Sequence, residues 1–103
     1  MDTKKLVADM KARFAHNSAK HYLAEKYSSK LLVADQGGLW KADKETLTFL
    51  YDTHLVQKEI VLLDTYNTPV KVDCLKLYKK LMEVYNTVMD EWHTEYKELE
   101  NKR

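Results

Sequence analysis

Only a few residues of this 103-residue chain have types and spacing that could do chemistry. The first candidate is Gly37-Gly38, which contains both glycines of the sequence. A phosphate-binding loop needs G-x-x-x-x-G-K-[ST], or G-x-G-x-x-G opening a helix. Here the pair is followed by Leu39-Trp40-Lys41, which favours a strand. We therefore expect a hairpin turn, in which glycine supplies positive φ, instead of a nucleotide site.

The single cysteine, Cys74, is a candidate nucleophile. It is predicted at the first position of a helix, where the helix dipole lowers the pKa of a thiol. No histidine base or oxyanion site can be assigned to it from the sequence. One thiol cannot form an internal disulfide or a cysteine-based zinc site, which favours a reducing, cytoplasmic compartment.

The four histidines raise the question of a metal site. His16 and His21 are five residues apart and fall on different faces of a helix. Asp90 and His93 have the i, i+3 spacing of helical carboxylate sites, but no second such pair accompanies them on another helix. We expect no metal, no cofactor and no enzymatic activity.

Composition indicates one soluble domain over residues 1–103. Hydrophobic residues make up 45% of the chain, which is enough for a core. The net charge of +1 gives no general attraction to nucleic acid or to a membrane. The longest apolar run, residues 60–63, is far shorter than the roughly 20 residues that span a bilayer. The N-terminus has no apolar segment typical of a secretory signal.

The pattern along the chain predicts an α+β fold in three segments. Residues 1–30 form a basic helical segment without Gly or Pro, helical over about 3–15 and 18–28, with a kink or break near 16–18. Residues 31–72 form a small β-rich sheet with a short helix. Residues 73–101 form a long amphipathic helix, opened by Asp73 as N-cap.

Two β-hairpins are predicted within residues 31–72. The first joins 30–34 to 39–42 through a loop of about four residues, and the second joins 59–65 to 70–72. Asp43 precedes a short helix over about 44–54, with Leu47, Leu50 and Tyr51 facing inward. Trp40 packs the sheet on a helix in one interpretation and is a surface anchor for a partner in the other.

The C-terminal helix has apolar residues with alternating gaps of three and four, a heptad seam. Its members are Leu75, Tyr78, Met82, Tyr85, Met89, Trp92, Tyr96 and Leu99. A second apolar row, Leu77, Leu81, Val84 and Val88, accompanies the first half only. We expect the first half to pack on the sheet. The second half either contacts another chain or is covered by the N-terminal helix.

Aromatic and Met residues are over-used at association surfaces. The predicted partner interface is therefore Tyr85, Met89, Trp92, Tyr96 and Leu99. A separate basic group could contact phosphate: Lys4, Lys5, Lys11, Arg13 and Lys20.

The segments Gly37–Lys41, Asn67–Val72 and Met89-x-x-Trp92 resemble small proteins of contractile-tailed, myovirus-type phages of cyanobacteria. The resemblance implies a place in the host cytosol or the virion, and a role in phage assembly, the particle or host takeover. None of these segments is a functional motif, so no site residue is carried over.

The leading hypothesis is a non-enzymatic phage structural or assembly component. It would oligomerise, or dock a larger protein, through the aromatic and Met face of the C-terminal helix. The alternative is a small nucleic-acid-associated or host-takeover regulator that uses the basic N-terminal helix.

Overall fold

The computed structural model describes the backbone of residues 3–101 and the side chains of Met10 and residues 15–101. The fold is α+β, as predicted. The elements in chain order are α1 (Thr3–Ser29), β1 (Leu32–Asp35), β2 (Gly38–Lys41), α2 (Lys44–His54), β3 (Glu59–Leu63), β4 (Pro69–Asp73) and α3 (Cys74–Asn101).

The first hairpin is antiparallel, with Val33 opposite Trp40 and Asp35 opposite Gly38. Its loop has two residues, fewer than expected, because Gln36 (φ 49°) and Gly37 (φ 79°) both adopt positive φ. Positive φ at both central residues defines a type I′ turn, which matches the twist of the flanking strands.

Only the first glycine therefore serves the turn. The φ of Gly38 is not in the left-handed region. A Cβ at Gly38 would lie 2.6 Å from Cζ2 of Trp40, so this glycine makes room for the indole ring. Trp40 is 2% exposed, and its Nε1–H donates to the carbonyl oxygen of Asp35 at 2.7 Å. This burial confirms the packing interpretation of Trp40.

The second hairpin pairs Glu59 with Asp73 and Leu63 with Pro69. Its turn is held by Asp64, whose Oδ1 accepts the backbone N–H groups of Tyr66 (2.9 Å) and Thr68 (3.0 Å). Pro69 is the first residue of β4, a position where its missing N–H costs little.

The hairpins form two separate two-stranded sheets instead of one sheet. Two hydrogen bonds connect them: Leu39 N–H donates to Oδ2 of Asp64 (3.2 Å), and Thr65 N–H donates to the Leu39 carbonyl (2.9 Å). The Gln36 side chain accepts from Asp73 N–H at 2.8 Å, which ties the first turn to the start of α3. A few polar contacts thus fix the small sheets relative to α3.

Side-chain caps begin both later helices, as predicted. Oδ1 of Asp43 accepts Thr46 N–H at 2.9 Å, and Oδ1 of Asp73 accepts Lys76 N–H at 3.0 Å. Each cap satisfies a donor that the first turn leaves unpaired.

The core lies between α3, α2, the C-terminal part of α1 and the inner faces of the hairpins. Leu47 and Leu50 of α2 are buried as predicted, but Tyr51 is 48% exposed. The prediction that Tyr51 faces inward is therefore wrong. Its ring lies at the margin of the α2–α3 contact, 5.5 Å from the ring of Tyr78.

Helix α1 is continuous, and the expected break near 16–18 does not occur. Asn17 and Ser18 are exposed, and no Gly or Pro interrupts the backbone hydrogen bonds. Among the described residues, no helix is long and apolar enough to cross a membrane.

Candidate functional site

The two apolar rows of α3 have different environments. The second row supplies the core, since Leu77 and Leu81 are fully buried and Val88 is 6% exposed. The heptad seam is displaced to one side of that row. Its first member, Leu75, is exposed, and the other seven are half-buried. The first half of α3 packs mainly against α2, and less against the sheets than expected.

Helix α1 covers part of the second half of the seam, running antiparallel to α3. The rings of Tyr27 and Trp92 stack with centroids 5.8 Å apart and an interplanar angle of 13°. Nζ of Lys26 lies 2.9 Å from Oε1 of Glu95, and Nζ of Lys30 lies 3.7 Å from Oε2 of Glu91. Of the two arrangements left open by the sequence, the structure thus shows the intramolecular one for Trp92.

Glu95 is the electrostatic centre of this contact. Hydrogen bonds from Lys26 and then from Tyr27 lower the pKa of its carboxyl group. The same carboxylate raises the pKa of Lys26 and that of the Tyr27 hydroxyl. All three groups are held in their ordinary charge states near neutral pH, so they position α1 and are not poised for proton transfer.

The predicted interface residues therefore lie in two different places. Trp92 packs on α1, and Tyr96 lies beneath Lys20, whose Nζ is 6.0 Å from the ring centroid. Met89 and Leu99 are half-buried on the same face. Tyr85 has a different setting, because it lies in the groove between α2 and α3.

Three tyrosines line this α2–α3 groove. It has a volume of about 410 Å³. Its floor and walls are formed by Lys44, Leu47, Thr48 and Tyr51 of α2 with Tyr78, Met82 and Tyr85 of α3. Three residues of the first half of the seam, Tyr78, Met82 and Tyr85, thus line a groove that α1 does not contribute to.

A second hollow lies at the other end of α2, where that helix turns into β3. Leu55 and Val56 follow the helix and are 67% and 84% exposed. With Leu75 of α3 they form an apolar surface beside a hollow of about 450 Å³. We name this surface and its cations the basic patch: Leu55, Val56, Leu75, Lys58, Lys76 and Lys79.

The predicted phosphate-contacting residues lie mostly outside the described side chains. This holds for Lys4, Lys5, Lys11 and Arg13. Lys20 is described, and it is exposed on α1 close to Tyr96.

Cys74 is at the first position of α3, as predicted, but it is completely buried. Burial raises the pKa of its thiol, and the nearby Asp73 carboxylate adds to the effect. The expected lowering by the helix dipole is therefore wrong, because desolvation of a thiolate outweighs it. No group of three or more His, Cys, Asp or Glu side chains that could hold a metal occurs within the described residues.

No protein family, curated protein or solved structure matches the chain.

Two contributors to these surfaces are not predicted by the sequence pattern. The spacing of Tyr51 from Leu47 fits one helix face, which predicts a core position for it. The adjacent pair Leu55-Val56 follows the predicted end of α2 directly, in a segment that cannot bury both side chains. Two consecutive large apolar residues directly after a helix end are the sequence signal that could have indicated this exposed apolar surface.

Proposed function

We propose that the protein is a non-enzymatic interaction module that self-associates through the α2–α3 groove. The observation that carries the proposal is the groove itself: three tyrosines and a methionine line it between two packed helices, with Tyr51 exposed and the other three half-buried. Such side chains are enriched where proteins associate, since they bury a large area at low entropic cost.

A second copy of the chain is the occupant that the charges favour. Lys44 is the only charged residue that lines the groove, among the described side chains. Two copies related by a two-fold axis bring the same surface patches together, so like charges in the patch would repel. A nearly neutral patch avoids that repulsion, while each copy offers aromatic rings to the other.

The resemblance to small proteins of contractile-tailed phages supports a role for this module in phage assembly. A subunit that pairs with itself and presents a second, different surface to another protein is suited to such a role. The groove would provide the pairing, and the α1–α3 contact would position α1 within each subunit.

Sedimentation velocity on groove variants tests the proposal. Tyr51→Ser with Met82→Ser removes two accessible side chains without entering the fully buried core. We expect the dimer dissociation constant to rise about tenfold or more, the usual effect of removing central interface residues. Circular dichroism and the urea midpoint report whether the variant is folded.

The matched control is Tyr66→Ser with Val61→Ser, two exposed residues of the second hairpin that do not line the groove. It should associate as the wild type does. If the groove variant associated as strongly as the wild type, the groove would not be the dimer interface.

A further inference from the structure

The basic patch combines exposed apolar surface with cations that have no partner within the described chain. None of Lys58, Lys76 and Lys79 takes part in an ion pair there. Contiguous exposed apolar side chains mark sites of association, and unpaired charges around them select the partner.

Two carboxylates close to the patch have contacts of their own. Glu59, which follows Lys58 in sequence, lies 3.4 Å from Lys71. Asp73 lines the hollow and keeps its negative charge, while its Oδ1 accepts the backbone N–H of Lys76 and caps α3. With three lysines against one carboxylate in the lining, the hollow has an excess of positive charge.

This surface is unsuited to self-association by a two-fold contact, because three lysines would face three lysines. The α2–α3 groove differs in this respect, since it carries one lysine. The two hollows adjoin: Tyr51 lines the groove, His54 lines the second hollow, and their rings are 4.9 Å apart. One molecule could therefore hold a second copy and a different partner at adjacent sites.

Concavity favours a peptide over a flat anionic surface. A membrane contact would bury the tips of Leu55 and Val56 but would leave a hollow of about 450 Å³ unfilled. A side chain such as Leu or Phe from a protein segment can enter the hollow, and carboxylates on either side of it can reach the lysines.

We propose that the basic patch binds an acidic segment of another protein. A large apolar side chain of that segment occupies the hollow, and flanking Asp or Glu residues pair with Lys58, Lys76 and Lys79. This inference goes beyond the self-association proposed above, since it assigns a different surface and a different class of partner.

Selection from a library of short random peptides displayed on yeast, with the whole chain as bait, tests this assignment. We expect the enriched peptides to share a large apolar residue flanked by Asp or Glu. Lys76→Glu with Lys79→Glu should weaken their binding about tenfold or more, since each reversal replaces attraction by repulsion. Position 76 lies in the first turn of α3, where Glu is favourable to the helix, and position 79 is exposed in the second turn, so we expect the variant to keep its fold.

Three further variants make the result specific. Lys41→Glu with Lys97→Glu changes the net charge equally at exposed sites outside the patch, and it should bind the peptides as the wild type does. Val56→Ser should weaken binding through loss of apolar contact. A second groove variant, Met82→Ser with Tyr85→Ser, changes no residue of the hollow and should bind the peptides normally even where dimerisation is lost, which separates this proposal from the first.

Three results would overturn the proposal. They are a failure to enrich any peptide, enrichment of peptides without acidic residues, and binding that survives the Lys76 and Lys79 reversals. Binding of phosphatidylserine vesicles that is abolished by Val56→Ser, without peptide binding, would assign the patch to a membrane surface instead.

Discussion

Substitutions at Gly37 and Gly38 should lower the free energy of unfolding by different amounts, because the two glycines are needed for different physical reasons. Gly37 needs positive φ, but a Cβ there would meet only Cγ1 of Val70, at 4.0 Å. Gly38 has no such backbone need, yet its Cβ would lie 2.6 Å and 2.8 Å from two indole atoms of Trp40. The indole cannot move aside freely because it is buried and hydrogen-bonded to Asp35.

The magnitudes follow from these environments. Overpacking a filled site costs about 1–3 kcal/mol, so Gly38→Ala should lower the free energy of unfolding by about 2 kcal/mol. In a domain of this size that corresponds to a fall in Tm of roughly 10 °C. Gly37→Ala should cost about 1 kcal/mol, since left-handed backbone is unfavourable to Ala but glycine removal also restricts the unfolded chain.

Asparagine separates the two causes more sharply, because it tolerates left-handed backbone and is larger than alanine. We expect Gly37→Asn to stay within about 0.5 kcal/mol of the wild type, and Gly38→Asn to cost about 2 kcal/mol or more. Urea unfolding followed by circular dichroism measures all four variants.

A double-mutant cycle tests the contact with Trp40 directly. Trp40→Leu removes the indole atoms that a Cβ at Gly38 would strike. In that background Gly38→Ala should cost at least about 1 kcal/mol less than in the wild type. Additive effects, or a Gly38→Ala variant as stable as the wild type, would refute the reasoning.

Three further predictions concern α1, α3 and the buried thiol. Trp92→Ala should lower Tm by roughly 5–10 °C through loss of the stack with Tyr27, and His93→Ala, exposed beside it, should have little effect in the same thermal scan. The pKa of Glu95 is lower in the folded state than its ordinary value of 4.5. The ionised carboxylate therefore stabilises the fold fully at pH values above 4.5, and this stabilisation is lost as the pH falls through the folded-state pKa. Urea midpoints between neutral and acid pH should therefore fall less steeply for Glu95→Gln than for the wild type, and equal slopes would contradict the assignment. Cys74 should react with a thiol reagent slowly in the native protein and rapidly in urea, because its side chain is buried and its pKa is raised; rapid native reaction would contradict that burial.

Much of the fold could be predicted from short sequence patterns. Asp43 and Asp73 are helix caps in the structure because their side chains satisfy donors within one turn, which is information that a short segment contains. The first hairpin and Pro69 follow from turn chemistry in the same way. The break near 16–18 was over-predicted because a polar stretch resembles a cap even where a helix continues.

Contacts between residues far apart in the sequence could not be predicted from it. A 3-4 spacing identifies an apolar face of α3, but the choice of residues that become core depends on which helices pack there. Helix α1 covers Trp92 through contacts separated by more than sixty positions, such as Lys26 with Glu95 (69 apart), and no local pattern specifies that pairing. The role of Asp64 is non-local for the same reason, since its Leu39 donor lies in the other hairpin.

The molar mass of the purified chain in solution tests the central claim most directly. Light scattering behind size exclusion should give about twice the chain mass of 12.2 kDa, at both low and high salt, because the α2–α3 groove is apolar and nearly uncharged. A mass equal to a single chain across the accessible concentrations would contradict self-association through the groove.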